Sequence, residues 1–254
     1  QIYSADPDEV REFVKRIAPG IDHIDLNFGC PVPKVTRAGG GSAIPLKPRL
    51  LARILRAAVG AAGETPITIK VRMGASNELS TWRDSGRVAH EEGAAAICLH
   101  GRTAAQLYSG DANWDVIGEL VEASKIPVLG NGDIWECWDA LRMMRATGCA
   151  GVVVGRACLG RPWLFRELAQ VFNGQEPGPP PTVGDIIPIM ADHATRLMDF
   201  FGPELGMRQM RKWGVWYTKG FHGSSAVRES LVRVTNLEDM LSALSKLNQE
   251  EPFP

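Results

Sequence analysis

The chain reads as an α/β protein: a (β/α)8 TIM-type barrel lacking its first two βα units, followed by a C-terminal all-α bundle. Three observations predict this. Short apolar runs alternate with helical patterns over the first two-thirds of the sequence. Strand starts at residues 67, 95, 127 and 151 are 28, 32 and 24 residues apart, the length of one βα unit each. Polar residues cluster where the strands end, and in parallel barrels the C-terminal strand ends carry the active site.

The elements follow in order. Strands are expected at Ile2–Ala5, His23–Phe28, Ile67–Met73, Ala95–His100, Pro127–Gly130 and Gly151–Gly155, mostly β-branched or apolar runs closed by glycine or a polar residue. Helical spacing links Val10, Phe13, Val14 and Ile17, and again Leu50, Leu51, Ile54 and Leu55. Further helices are expected over Trp82–Glu92, Trp114–Ser124, Trp135–Thr147 and Trp163–Phe172. Six strands fall short of the eight of a closed barrel, and Gln1 already enters a strand. About two βα units, on the order of 60 residues, are therefore expected to be missing at the front. The alternative is a six-stranded open sheet.

Three segments follow from composition: a partial barrel over 1–173, a Pro/Gly linker over 174–182 and a helical region over 183–254. Thr182 with Asp185 predicts a helix cap, with Pro188 kinking the helix or delaying its start. Met190, Ala194, Leu197, Met198 and Phe201 repeat at helical period, as do Leu237, Met240, Leu241, Leu244 and Leu247. Residues 250–254 are expected to fray.

The 254 residues carry a net charge of -1, which offers no long-range steering toward nucleic acid or membrane. No apolar run approaches a membrane span. The five cysteines form no CxxC pair and the five histidines no HExxH motif. That argues against a disulfide framework or a metal site, and fits a reducing cytoplasm.

Cys30 sits at the tip of a strand, in Asp25-Leu26-Asn27-Phe28-Gly29-Cys30-Pro31, before the glycine run Gly39-Gly40-Gly41. It is a candidate reactive thiol, against the alternative of an inert buried cysteine. Gly130-Asn131-Gly132-Asp133 and Gly155-Arg156-Ala157 fall where barrels build phosphate sites, after strands seven and eight. Glycine lets backbone N–H groups approach a phosphate, and Arg156 adds charge-assisted bonds; ordinary tight turns are the alternative. Lys70 is out of place on a strand, because a buried ammonium is costly unless it faces an anionic or electron-rich ligand. The alternative is a lysine snorkelling to water at the strand mouth. His100, beside Arg102, is either a ligand contact or a satisfied structural histidine.

Taken together, these residues resemble the tRNA-dihydrouridine synthase family of the bacterial type. The resemblance rests on Asn27-Phe28-Gly29-Cys30-Pro31, Lys70-Val71-Arg72-Met73-Gly74, His100-Gly101-Arg102-Thr103, Gly130-Asn131-Gly132-Asp133-Ile134, and Gly155-Arg156 followed by Pro162-Trp163. It covers the whole chain, and the Cys30 segment is its most specific part. It implies an FMN-dependent enzyme that reduces a uridine in tRNA to 5,6-dihydrouridine with NADPH. Hydride would pass from flavin N5 to uracil C6 and a proton from Cys30 to C5. It implies flavin contacts from Gln1, Lys70, His100, Asn131, Gly132, Asp133, Gly155 and Arg156, and uracil-side contacts from Asn27 and Arg102. A monomer is expected. Members of the family begin with a further strand and glycine-containing loop that touch the flavin, so the chain as given is expected to hold FMN poorly.

Between Arg196 and Arg233 seven basic residues face three acidic ones, a local +4. Arg208, Arg211 and Lys212 share a helix face at i, i+3 and i+4, with Trp213, Trp216 and Tyr217 alongside. A solvated basic face over an aromatic core is one reading; with the resemblance, tRNA backbone contact is the other. Three rivals remain. One is an FMN barrel oxidoreductase acting on a small pyrimidine or enone. Another is a phosphate-binding lyase or isomerase with Lys70 as a Schiff base. The last is a catalytically silent RNA-binding module.

Overall fold

The computed structural model describes residues 1–254, which form two compact units, Gln1–Gly155 and Arg156–Pro254. The first contains α1 (Pro7–Ile17), β1 (Ile24–Phe28), α2 (Pro33–Thr36), α3 (Pro48–Ala62), β2 (Ile67–Arg72), α4 (Trp82–Glu91), β3 (Ala96–His100), α5 (Asp115–Ala123), β4 (Val128–Asn131), α6 (Cys137–Thr147) and β5 (Gly151–Val153). All neighbouring strands are parallel and pair in chain order, β1-β2-β3-β4-β5. A doubly wound sheet reverses its order at a switch point. Here the order never reverses, as in a barrel wound in one direction.

Side-chain alternation separates the two faces of this sheet. Ile24, Leu26, Phe28, Ile67, Ile69, Val71, Ile97, Leu99 and Val128 are buried, forming the apolar face. The alternate positions carry Asp25, Asn27, Thr68, Lys70, Arg72, Cys98, His100 and Asn131. Apolar area supplies most of the stabilisation, at about 25 cal/mol per Å² buried. A sheet that packs one face this way is free to devote the other to polar groups.

Local chemistry sets the element ends. Asp6 caps α1 by accepting from the N–H groups of Asp8 (2.8 Å) and Glu9 (3.4 Å), with Pro7 opening the helix. Glu136 and Asp139 form a capping box on α6, and Gly148 ends it at φ 70°. The strand expected at Ile2–Ala5 shrinks to a single parallel bridge between Ile2 and Leu26. Ile2 exchanges backbone bonds of 2.9 Å with Asp25 and Asn27. Ser4 then turns the chain by accepting from Asp6 N–H and donating to Glu9, so side-chain bonds divert the backbone before a ladder extends.

The second unit holds α7 (Leu164–Phe172), α8 (Val183–Phe201), α9 (Pro203–Tyr217), α10 (Ser224–Leu231) and α11 (Leu237–Leu244). By contacts the units divide at Gly155/Arg156, ahead of the Pro/Gly segment 174–182. Trp163 explains why: it is buried in one core with Val183, Ile186, Met190, Tyr217, Phe221 and Leu244. α8 starts at Val183 with the Thr182–Asp185 capping box and runs through Pro188 rather than starting late. The C-terminus does not fray. Phe253 N–H bonds Pro181 O at 2.8 Å, and the Phe253 ring meets Trp163 edge to face at 5.0 Å. No helix is long and apolar enough to cross a membrane.

α8 and α9 cross with backbones close together at Gly206, where an added Cβ would lie 2.6 Å from Met198 Cα. Gly206→Ala is expected to destabilise the helical unit by about 1–3 kcal/mol through overpacking. Thermal unfolding followed by far-UV circular dichroism checks this; an unchanged Tm would contradict it.

Candidate active site

The register aligns the polar face into two rows. Asn27, Lys70, Cys98 and Leu129 are Cα partners across β1 to β4; Arg72, His100, Asn131 and Val153 form the next row, at the strands' C-terminal ends. Cys30 follows β1 by two residues at that end, and Gly155 follows β5 likewise. Strand direction thus brings the sheet-borne residues singled out from sequence to one rim.

Three hydrogen bonds fix the Cys30 turn. Asn27 Oδ1 accepts from Gly29 N–H (3.1 Å), Arg72 Nε donates to Gly29 O (3.0 Å), and Ser42 N–H donates to Cys30 O (3.0 Å). Gly41 has φ 55°, and a Cβ there would collide with the Cys30 carbonyl oxygen. The third glycine of the run is therefore required by close backbone approach. Cys30 itself is half-buried.

Arg72 is 4% exposed and also donates through Nη1 to the carbonyls of Thr103 and Leu107, both at 2.8 Å. It ties the Cys30 turn to the loop after β3. Sequence reasoning quoted Arg72 without giving it a role. The available signal was its period-two phase with Lys70, which places both on one face.

Arg102, expected beside a pyrimidine, is instead 2% exposed. Its guanidinium donates to Ser109 O (3.3 Å), Gly110 O and Asp133 Oδ2 (2.7 Å), and lies 3.5 Å from His100 Nε2. A guanidinium bonded in this way braces the loops around it. Asp133, at φ 55°, also accepts from Ala112 N–H at 2.7 Å, so its carboxylate is turned into the protein. Asn27, expected at a pyrimidine edge, holds Gly29 through its oxygen and donates from Nδ2 to Gln1 Oε1 at 3.2 Å. Gln1 also donates to Asp25. Asn131 donates to Val153 O (2.6 Å), joining β4 to β5, and Gly132 O accepts from Trp114 Nε1 at 3.1 Å.

Lys70 differs from these braced groups, because no carboxylate lies within ion-pair reach of its ammonium. Burial pushes its pKa below the ordinary lysine value and the Arg72 charge adds to this, against Cys98 and Asp25. On the neighbouring strand, burial pushes the Cys98 thiol up to about 12, so it stays protonated and unreactive. Lys70 thus presents a buried cation without a carboxylate partner, suited to an anionic or electron-rich group. Gly155 adds open space, since a Cβ there would meet nothing within 4 Å. Arg156 opens a 3-10 turn, Arg156–Cys158, in the second unit. No group of three or more His, Cys, Asp or Glu side chains is arranged to hold a metal, and all five cysteines are free thiols.

In the helical unit, Arg208 and Lys212 are exposed on α9, Lys212 lying 5.3 Å from the Trp213 ring centre. Arg211 is partly committed, donating from Nε to Val234 O at 2.9 Å. Lys219 extends the exposed set, over Trp216 at 5.4 Å.

The family model described as dihydrouridine synthase (Dus) matches residues 1–251. A probable tRNA-dihydrouridine synthase of Mycobacterium tuberculosis (strain ATCC 25618 / H37Rv) is 49% identical over 259 residues, covering 100% of this chain and 67% of the relative. The Mycobacterium leprae (strain TN) protein of the same description has the same identity and coverage. A tRNA-dihydrouridine synthase B of Yersinia pestis is 35% identical over 245 residues, covering 96% of this chain and 76% of that protein.

Arg102→Met is expected to destabilise the sheet unit by about 3–5 kcal/mol, because it leaves the Asp133 carboxylate partly buried and unpaired. Urea unfolding checks the size of the loss, and a variant as stable as the parent would show that the pair is dispensable.

Proposed function

The chain belongs to the dihydrouridine synthase family, and from that premise we propose that it reduces a uridine of tRNA to 5,6-dihydrouridine, with FMN as cofactor and NADPH as reductant. The observation that carries the reading is the fixed Cys30 turn standing at the rim of a polar sheet face that carries Lys70, a buried cation outside any ion pair.

The residues present suit a flavin. Lys70 would face the electron-rich ring system, offsetting negative charge on its reduced form. Gly132, Gly155 and Arg156 would hold the phosphate through backbone N–H groups and a guanidinium. His100, Asn131, Asp133 and Gln1 would shape the cradle, with Asp133 acting through Arg102. When bound, FMN reduced by NADPH supplies the hydride that reaches uracil C6.

The chain's own task is then the proton. Hydride addition at C6 leaves negative charge on C5 and the C4 oxygen, and C5 must be protonated. A thiol can serve as the general acid for this step. A carboxylic acid would already be ionised. Cys30 is the group we assign to C5, and the Asn27, Arg72 and Ser42 bonds hold its backbone while it acts. The uridine must leave its stack, at a cost of a few kcal/mol. Arg208, Lys212 and, through its remaining donors, Arg211 would offset that cost at the RNA backbone.

Cys30→Ala is expected to lower dihydrouridine formation at least 100-fold while flavin reduction by NADPH proceeds at the parent rate. Stopped-flow flavin absorbance and tRNA product analysis separate the half-reactions; equal loss of both would assign Cys30 to the fold or the cofactor instead.

Lys70→Met carries a paired expectation. A lysine whose folded pKa is depressed destabilises the fold below that pKa, and the cost fades as pH rises toward the unfolded value. The variant should therefore have a higher Tm than the parent at neutral pH, a gap that narrows in alkali, and should retain less FMN. Melts across pH together with flavin absorbance test this; unchanged flavin content would remove Lys70 from the cofactor site.

A further inference from the structure

Residues 26–63 contain six basic side chains, Lys34, Arg37, Lys47, Arg49, Arg53 and Arg56, and no acidic one. In a chain of net charge -1, that is a strong local asymmetry. The segment runs from the Cys30 turn through α2 and along α3. All six side chains are exposed. Arg49, Arg53 and Arg56 stand at i, i+4 and i+7 and share one stripe of α3. The opposite stripe, with Leu51, Ile54, Leu55 and Ala58, is buried.

The fold makes this stripe a track. α3 follows β1, so its N-terminus lies at the rim that holds Cys30, and Arg49, Arg53 and Arg56 descend the outer wall at about 1.5 Å per residue. α1 packs beside it. One groove between the two is lined by Arg53, Arg56, Arg11 and Lys15. A second shares Arg53 and reaches Lys34, Val35 and Gly40 of the Cys30 loop. Three acids of the α1 end line these grooves as well: Asp6 caps α1, Asp8 pairs with Arg11 at 2.6 Å, and Glu9 accepts from Ser4. Arg56 pairs with Glu92. Lys15, Lys34, Arg49 and Arg53 form no ion pair.

We propose that the outer face of α3, with the Cys30 loop at its upper end and Lys15 of α1 beside it, is a binding surface for the sugar-phosphate backbone of RNA. It is separate from the basic face of α9. The proposal rests on the tRNA reading above and adds a contact on the sheet unit itself. Cations repeated along one helix stripe, most of them outside any ion pair and with no acid in the segment itself, suit a polyanion whose charges repeat along a strand, and they carry no base-specific information. The track would hold RNA next to the thiol loop.

The test uses the whole chain and an unmodified tRNA transcript, with affinity measured across a salt series. Arg49→Ala/Arg53→Ala is expected to weaken binding about tenfold and to reduce the slope of log affinity on log salt by about 1.5, roughly 0.7–0.9 per lost phosphate contact. Arg53→Gln alone should give about half that change in slope. Arg145→Ala on α6, an exposed cation away from the track, should leave both quantities unchanged. If the double variant matches the parent, or if Arg145→Ala weakens binding equally, the track is an ordinary solvated face and the proposal fails. A parent chain that binds no tRNA would overturn the functional reading together with it. Far-UV circular dichroism confirms that each variant is folded.

Discussion

Arg72 donates to the carbonyls of Gly29, Thr103 and Leu107 from a position 4% exposed to solvent. A buried guanidinium is tolerated when its donors are met, and here three loop carbonyls accept from it. The loops on either side thereby become fixed. Both the bonds and the charge reach the site: the Cys30 turn is held in place, and the Arg72 charge adds to the burial that depresses the Lys70 pKa. Arg102 and Asp133 do the corresponding work one strand further on, with charge cancelled within the pair. The rim thus combines a brace on loop carbonyls with a brace on a carboxylate.

The lack of a carboxylate partner at Lys70 bears on how an anionic ligand would be accommodated. Were Lys70 ion-paired, a negative ligand would have to displace the partner. An ammonium kept from carboxylates by its neighbours costs folding stability that a bound anion restores. Stability given up at a site is a common feature of function. Cys98, adjacent to Lys70 in the sheet, stays protonated and leaves the lysine as the reactive charge of its row.

RNA recognition would be spread over two chemically different surfaces. On α9 the cations stand among aromatic rings, Lys212 near Trp213. On α3 they form a stripe with no aromatic interleaving and no acid for 38 residues. Both suit a polyanion read mainly through its backbone.

The sequence alone determined the βα repeat, the helical tail, the cap at Thr182, and the strand ends on which Cys30, Lys70, His100 and Asn131 sit. These are local consequences: period-two and 3.6-residue patterns and turn chemistry reside in neighbouring residues. The family was legible for the same reason, through short contiguous motifs around Cys30 and Lys70. Only the tertiary structure decided which polar side chains are tied into the scaffold by partners from other segments. Arg102 and Lys70 both read as strand-end cations, yet Asp133, thirty-one positions away, turns one inward. Asn27 likewise became a loop anchor, and Trp163 drew residues after Gly155 into the helical unit. Such outcomes depend on partners distant in sequence, whose approach is set by packing and not by any pattern within the segment itself.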